Sequence, residues 1–128
     1  MTDVAFECWV AKFYWQKVES SKKRGIEFNL TLTSVRNMLR SKKCYYTGMA
    51  MTRPPYNSNG YIEPGYKART TDITIDRIDN RLGYIKGNVR SCSRYANGLK
   101  AVLEDPSNSY EMKHFIRMAK VIEKDMRK

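Results

Sequence analysis

A helix-rich α+β fold is predicted for this chain, organised around a short hairpin that runs straight into a helix. Three observations predict it. Ile73-Thr74-Ile75-Asp76 alternates apolar and polar residues, the period of a half-buried strand. Asp79-Asn80-Arg81-Leu82-Gly83 is dense in turn formers, so the chain reverses there before the extended Gly87-Asn88-Val89-Arg90. Long stretches towards both ends repeat apolar residues at helical spacing. A length of 128 residues implies one domain. Its expected parts are a helical N-terminal region 1–43, a core motif over 73–103 and a basic C-terminal helix over 109–127. That size supports a modest core without disulfides.

The elements follow in order. Asp3 to Lys22 reads as an amphipathic helix, with Phe6, Val10, Phe13 and Lys17 at helical spacing and Trp9 and Tyr14 beside them. The aromatic stripe is expected in the core, with base stacking as the alternative. Lys22-Lys23-Arg24-Gly25 closes the helix with cations in the last turn and Gly past its end. The same cations are placed to touch phosphate. Ile26 to Leu30 alternates and reads as a short strand or extended segment, and Thr31 or Thr33 caps a helix carrying Val35, Met38 and Leu39. Arg36 and Arg40 share one face of it. Residues 51–71 are punctuated by Pro and Gly and interleave Tyr56, Tyr61 and Tyr66 with Arg53, Lys67 and Arg69. Such a loop suits phosphate contact and stacking, or is a floppy insertion. Ser91 or Ser93 caps the motif helix, which carries Tyr95, Leu99 and Val102 and ends near Asp105-Pro106. Asn108 with Glu111 reads as a variant capping box. It opens a helix with Met112, Phe115, Ile116, Ala119, Ile122 and Met126 on one face and Lys113, Arg117, Lys120, Lys124 and Arg127 on the other. That basic face is either solvated or tracks phosphate.

Composition narrows the function. A formal net charge of +11 in a chain this short points to a polyanionic partner, nucleic acid above all. A solvated basic surface and a ribosome-associated protein are the alternatives. The 3 cysteines, Cys8, Cys44 and Cys92, are odd in number and irregularly spaced, and no secretory leader is read before them. An intracellular, reducing compartment, the cytoplasm, is expected. No apolar run reaches membrane-spanning length, so no membrane partner is expected.

Three polar residues stand out on the motif: Asp76 at the end of the first strand, Asn88 before the helix and Asn97 inside it. Asn is a poor mid-helix residue, so Asn97 calls for another explanation. If strand and helix pack together, Asp76 and Asn97 converge, and a carboxylate with an amide oxygen is a reasonable pair of hard ligands for magnesium. A turn Asp and a capping or solvent-facing Asn explain the same spacing.

Asp76-Arg77-Ile78-Asp79-Asn80, Gly83-Tyr84, Gly87-Asn88-Val89 and Asn97 together resemble the HNH endonucleases of the ββα-metal (His-Me finger) superfamily, most of all its small phage and mobile-element members. Lys22 to Gly48 resembles the region upstream of the motif in many phage HNH proteins. The resemblance implies a ββα-metal hairpin and helix, and a metal-dependent DNA endonuclease of nicking or homing type, acting in a host cell. It assigns Asp76 as the strand ligand, Asn88 as the loop brace and Asn97 as the helix ligand, with Mg2+, or Mn2+ as the alternative, as cofactor. The family's general-base His falls on Arg77, the main departure. Many HNH proteins also hold a structural zinc through two Cys-x-x-Cys pairs. The matching positions here are Cys44, Thr47, Ser93 and Ala96, and one thiol cannot close a tetrahedral zinc site, so no zinc is expected. Cys44 and Cys92 then read as small buried residues.

Phosphodiester hydrolysis needs an activated water, and a guanidinium stays protonated at any working pH, so Arg77 is not the base. It suits a phosphate clamp. Asp79, Tyr84, His114 and bulk water remain as proton acceptors. Lys22, Lys23, Arg24, Arg69, Arg77, Arg81, Lys86, Arg90, Arg94 and Lys100 are the candidate DNA contacts. A catalytically degenerate HNH-fold protein that binds DNA without cutting is the competing expectation, since the base His is missing.

Overall fold

The computed structural model describes residues 3–105 and 112–127. The chain divides into two compact units, Met1–Asn97 and Gly98–Lys128. The described elements are α1 (Val4–Lys23), α2 (Leu32–Leu39), β1 (Ile73–Arg77), β2 (Val89–Ser93), α3 (Arg94–Leu103) and α4 (Met112–Met126). The chain is therefore a small α+β protein, with β1 and β2 paired in one antiparallel sheet.

Capping residues set where the helices begin. Asp3 accepts a hydrogen bond from the Phe6 amide at 3.3 Å and opens α1. Thr31 does the same for α2 through the Ser34 amide at 3.1 Å. Ser93, rather than Ser91, receives the Ala96 amide at 3.1 Å at the start of α3. Ser91 lies in the middle of β2, which begins at Val89 after a turn that Gly87 makes at φ +87 and ends at Ser93, and its hydroxyl donates instead to the Met38 carbonyl at 2.8 Å. The segment expected as a strand at Ile26 to Leu30 forms one parallel bridge, Phe28 with Tyr84, and goes no further.

The core of the first unit is built by α1, α2, β1 and Tyr84. Phe6, Trp9, Val10, Val35, Leu39, Ile73 and Ile75 are all buried in it. Full burial of a side chain of this kind stabilises by about 1.5–3 kcal/mol. The aromatic stripe of α1 is thus core. Glu7 binds Arg36 at 2.7 Å and Arg40 at 3.8 Å, tying the two helices together at their rim. In the second unit, Ile116, Ile122 and Met126 on α4 are exposed. The capping box at Asn108 and Glu111 lies outside the described residues.

Residues 51–71 carry no regular element, yet they are docked. Tyr56 stacks on Trp9 with ring centroids 5.4 Å apart. Gly60 lies so close to α1 that a Cβ there would collide with the backbone of Cys8 and Trp9. The floppy-insertion alternative does not describe this loop, because its aromatic and its glycine are both used in packing.

Candidate functional site

The hairpin places Asp76 directly across from Arg90. Asp76 is 9% exposed, so its carboxylate depends on partners. The Tyr46 hydroxyl donates to Asp76 Oδ2 at 2.7 Å, a short charge-assisted bond. The neighbouring Tyr45 takes Arg90, whose guanidinium lies 4.7 Å from the ring centroid. Consecutive tyrosines therefore each engage one member of a cross-strand pair. Their turn is fixed to the sheet by the Tyr45 amide, which donates to the Ser91 carbonyl at 3.0 Å. Arg90 Nη1 donates to the Val89 carbonyl at 3.1 Å, while its Nε is buried without a hydrogen-bond partner among the described residues.

The loop between the strands is knitted by Asn88, which is 6% exposed. Its Oδ1 accepts from the Asp79 amide at 2.9 Å, and its Nδ2 donates to the carbonyls of Asp79 at 3.1 Å and Gly83 at 2.9 Å. Arg77 turns into the same loop, with Nη1 donating to the carbonyls of Asn80 at 3.0 Å and Leu82 at 3.1 Å. Its guanidinium lies 5.4 Å from the Tyr84 ring centroid. Asp79 Oδ1 accepts from the Arg81 amide and Nε, and Oδ2 from Nη2 at 2.9 Å. That pairing raises the Arg81 guanidinium above its ordinary value.

Cys44 sits where β2 meets α3. It is 2% exposed, and with Cys92 and Ala96 it forms a second small core. Ser93 Oγ donates to its sulfur at 3.8 Å. Burial pushes the Cys44 thiol up, but hydrogen bonds from the Thr47 side chain and from backbone at Ser93, Thr47 and Tyr46 outweigh it and hold the thiol at about 7. Cys44, Thr47 and Ser93 thus meet through hydrogen bonds, and Ala96 packs beside them.

The remaining expected residues are dispersed. Asn97 is half-buried on α3, three residues on from Arg94 and so on the same face, and no direct hydrogen bond joins it to Asp76. Lys22, Lys23, Arg24, Lys86 and Arg94 are exposed. Arg69 is engaged internally: Nε reaches Asp72 Oδ1 at 3.3 Å and Nη2 the Arg53 carbonyl at 2.7 Å. Lys100 and His114 belong to the second unit, where Lys100 pairs with Glu104 at 2.9 Å and His114 is an exposed residue of α4.

Sequence reasoning passed over Tyr45, Tyr46 and Asp72. The two tyrosines stood inside a stretch read for its thiols. Asp72, 2% exposed, accepts from Thr52 Oγ1 and the Tyr66 hydroxyl, both at 2.6 Å, and from the Arg69 amide at 3.0 Å. Burial pushes its carboxyl up, and these bonds with the Arg69 charge outweigh it and hold it below the ordinary range. Its only sequence signal was a carboxylate set just before an apolar strand.

No family model matches the sequence, and no solved structure matches it. Over 82 residues, 64% of this chain, it is 34% identical to a protein of Enterobacteria phage T4 described as an uncharacterized 29.0 kDa protein in the dda-modA intergenic region. The chain spans 28% of that protein's length. Among the described residues, no helix is long and apolar enough to cross a membrane.

Proposed function

We propose that this chain is a metal-dependent DNA endonuclease of the HNH, ββα-metal type, hydrolysing phosphodiester bonds in a phage-related, host-cell setting. One observation carries the reading: a strand, a loop knitted by Asn88, a second strand and a helix follow without interruption, and they present Asp76 across from Arg90. The net charge of +11 suits a nucleic-acid partner, and the 34% identity to an uncharacterized phage T4 protein bears on the phage-related setting alone.

Asp76 and Asn97 are the residues assigned to a divalent ion, Mg2+ or Mn2+. No group of three or more His, Cys, Asp and Glu that could hold a metal occurs among the described residues. Magnesium does not require one, since it is commonly bound by one or two carboxylates together with waters and substrate phosphate. The nearly buried Asp76 carboxylate, oriented by Tyr46, fits that demand. A bound ion would neutralise charge on the scissile phosphate and stabilise the leaving oxygen. In this reading Tyr46 orients Asp76, and Asn88 and Arg77 keep the loop in shape.

A second reading, an HNH-fold protein that binds DNA without cutting, is favoured by the state of the loop. Arg77 holds backbone carbonyls and both Asp79 carboxylate oxygens accept from Arg81, so neither presents a ready proton acceptor. The deciding experiment incubates duplex and branched DNA with the protein and Mg2+ or Mn2+, with binding measured in parallel. The nuclease reading expects cleavage that Asp76→Ala abolishes while DNA affinity is kept. Binding that falls steeply with salt, with no cleavage under any of these conditions, replaces it with the second reading.

A further inference from the structure

The turn at residues 44–49 is closed by its own backbone and presents exposed side chains from a fixed frame. The Cys44 amide donates to the Met49 carbonyl at 2.9 Å, and the Gly48 amide to the Cys44 carbonyl at 2.9 Å. Thr47 Oγ1 accepts from the Met49 amide at 3.2 Å, and Lys43 pairs with Ala50 across the open end. Tyr45, Tyr46 and Met49 are all exposed on this turn, Tyr45 most of all at 62%. Its ring is nonetheless held. The Arg90 guanidinium lies 4.7 Å from the ring centroid, and the Tyr46 ring meets it at 84° with centroids 5.3 Å apart. Both neighbours belong to the candidate site: Arg90 is the cross-strand partner of Asp76, and Tyr46 bonds the Asp76 carboxylate. Trp9 on α1, by contrast, is buried and already stacked on Tyr56.

We infer that Tyr45, backed by Arg90, is a stacking platform for an unpaired nucleobase at the edge of the Asp76 site. A ring already held in place loses little freedom when a second flat group settles on it. Every nucleobase offers such a group, whatever its sequence. In a continuous duplex, however, each base is stacked between its neighbours, and exposing one costs unstacking and unpairing. The platform therefore favours DNA with a single-stranded arm or a branch over continuous duplex. The inference rests on the nucleic-acid reading of the site and adds its substrate class. It also gives the exposed ring of Tyr45 a task distinct from that of Tyr46, whose hydroxyl is spent on Asp76.

The test measures equilibrium binding in EDTA, so that no cleavage intervenes, on a labelled duplex, on the same duplex with a single-stranded arm, and on the armed duplex with abasic sites throughout the arm. The abasic arm keeps every phosphate and removes only the bases. Wild type should bind the base-bearing arm about tenfold more tightly than the abasic one, within the range of a single base–aromatic stack. Tyr45→Leu keeps an apolar side chain beside Arg90 without a π face. It should lose that preference while binding the abasic arm as wild type does. Tyr45→Trp should keep or strengthen the preference, a result that misfolding cannot mimic. Tyr61→Leu is the control: Tyr61 is 61% exposed and lies under Lys12 at 4.0 Å, but on the loop docked to α1, and its loss should leave the preference unchanged. If wild type binds both arms alike, or if Tyr45→Leu keeps the preference or weakens both arms equally, the platform does not exist, while DNA binding and cleavage stand on their own results. If no form of DNA is bound, the nucleic-acid reading falls and takes the platform with it. If the preference depends on Tyr45 but no DNA is cut with Mg2+ or Mn2+, the platform stands and the nuclease reading falls alone.

Discussion

Residues 78–88 and residues 51–71 are both irregular, and each is held by one buried polar side chain. In the first that side chain is Asn88, 6% exposed; in the second it is Asp72, 2% exposed. The chemistry differs. Asn88 is neutral and both gives and takes, with one amide and two carbonyls as partners. Asp72 is an anion that only accepts, from Thr52, Tyr66 and Arg69. Both satisfy backbone or side-chain groups that would otherwise be buried without partners. The contrast teaches that the buried brace of the hairpin loop is indifferent to pH, whereas the buried brace of the longer loop is a charge.

The largest effect should come from the neutral brace. Asn88→Ala leaves the Asp79 amide and two carbonyls without that side chain, and should destabilise the protein by about 2–4 kcal/mol, read from urea unfolding midpoints. Asn88→Asp should do little better, because a carboxylate cannot donate to the Asp79 and Gly83 carbonyls. A loss below about 0.5 kcal/mol in either variant would mean the loop does not depend on this residue.

Next in size is the charged latch. Asp72→Asn turns an amide NH2 towards groups that are themselves donors, and should cost about 1–3 kcal/mol at neutral pH. The sign with pH follows from a carboxyl held below its ordinary value of 3.8. Its contribution is complete above that value and is lost as pH falls through the lower folded value. Stability measured from pH 7 down to acid should therefore fall more steeply in wild type than in Asp72→Asn. Parallel curves would remove Asp72 as the charged fastening.

A smaller effect is expected at the candidate site itself, outside both regions. Tyr46→Phe deletes one hydrogen bond to Asp76 and should cost about 1 kcal/mol of stability. On the nuclease reading, it should raise the magnesium concentration needed for half-maximal cleavage more than it changes DNA affinity. Equal loss of both would make Tyr46 a packing residue only. The smallest effect belongs to Arg81→Ala. Its pairing with Asp79 lies on the surface, with the Arg81 side chain 85% exposed, so the unfolding midpoint should stay at the wild-type value. A clear drop would show that the loop relies on its exposed pair as well as on Asn88.

The sequence by itself determined what depends on neighbours along the chain. The alternation at Ile73 to Asp76 and the capping positions, narrowed to Thr31 or Thr33 and to Ser91 or Ser93, are local, and each corresponds to an observed element. The contacts of Asn88 are local too, with partners only 5 and 9 residues away, but the sequence offered that brace only through the resemblance. Only the tertiary structure decided the rest. Tyr46 meets Asp76 across 30 residues, Asp72 meets Thr52 across 20, and Lys17 on α1 meets Tyr84 between the strands. The cause is physical. Backbone propensity and capping act within a turn or two, so they are written in consecutive residues. Partners for a buried charge are chosen by whichever segments pack around it, and that choice is made only when the core of α1, α2 and β1 closes.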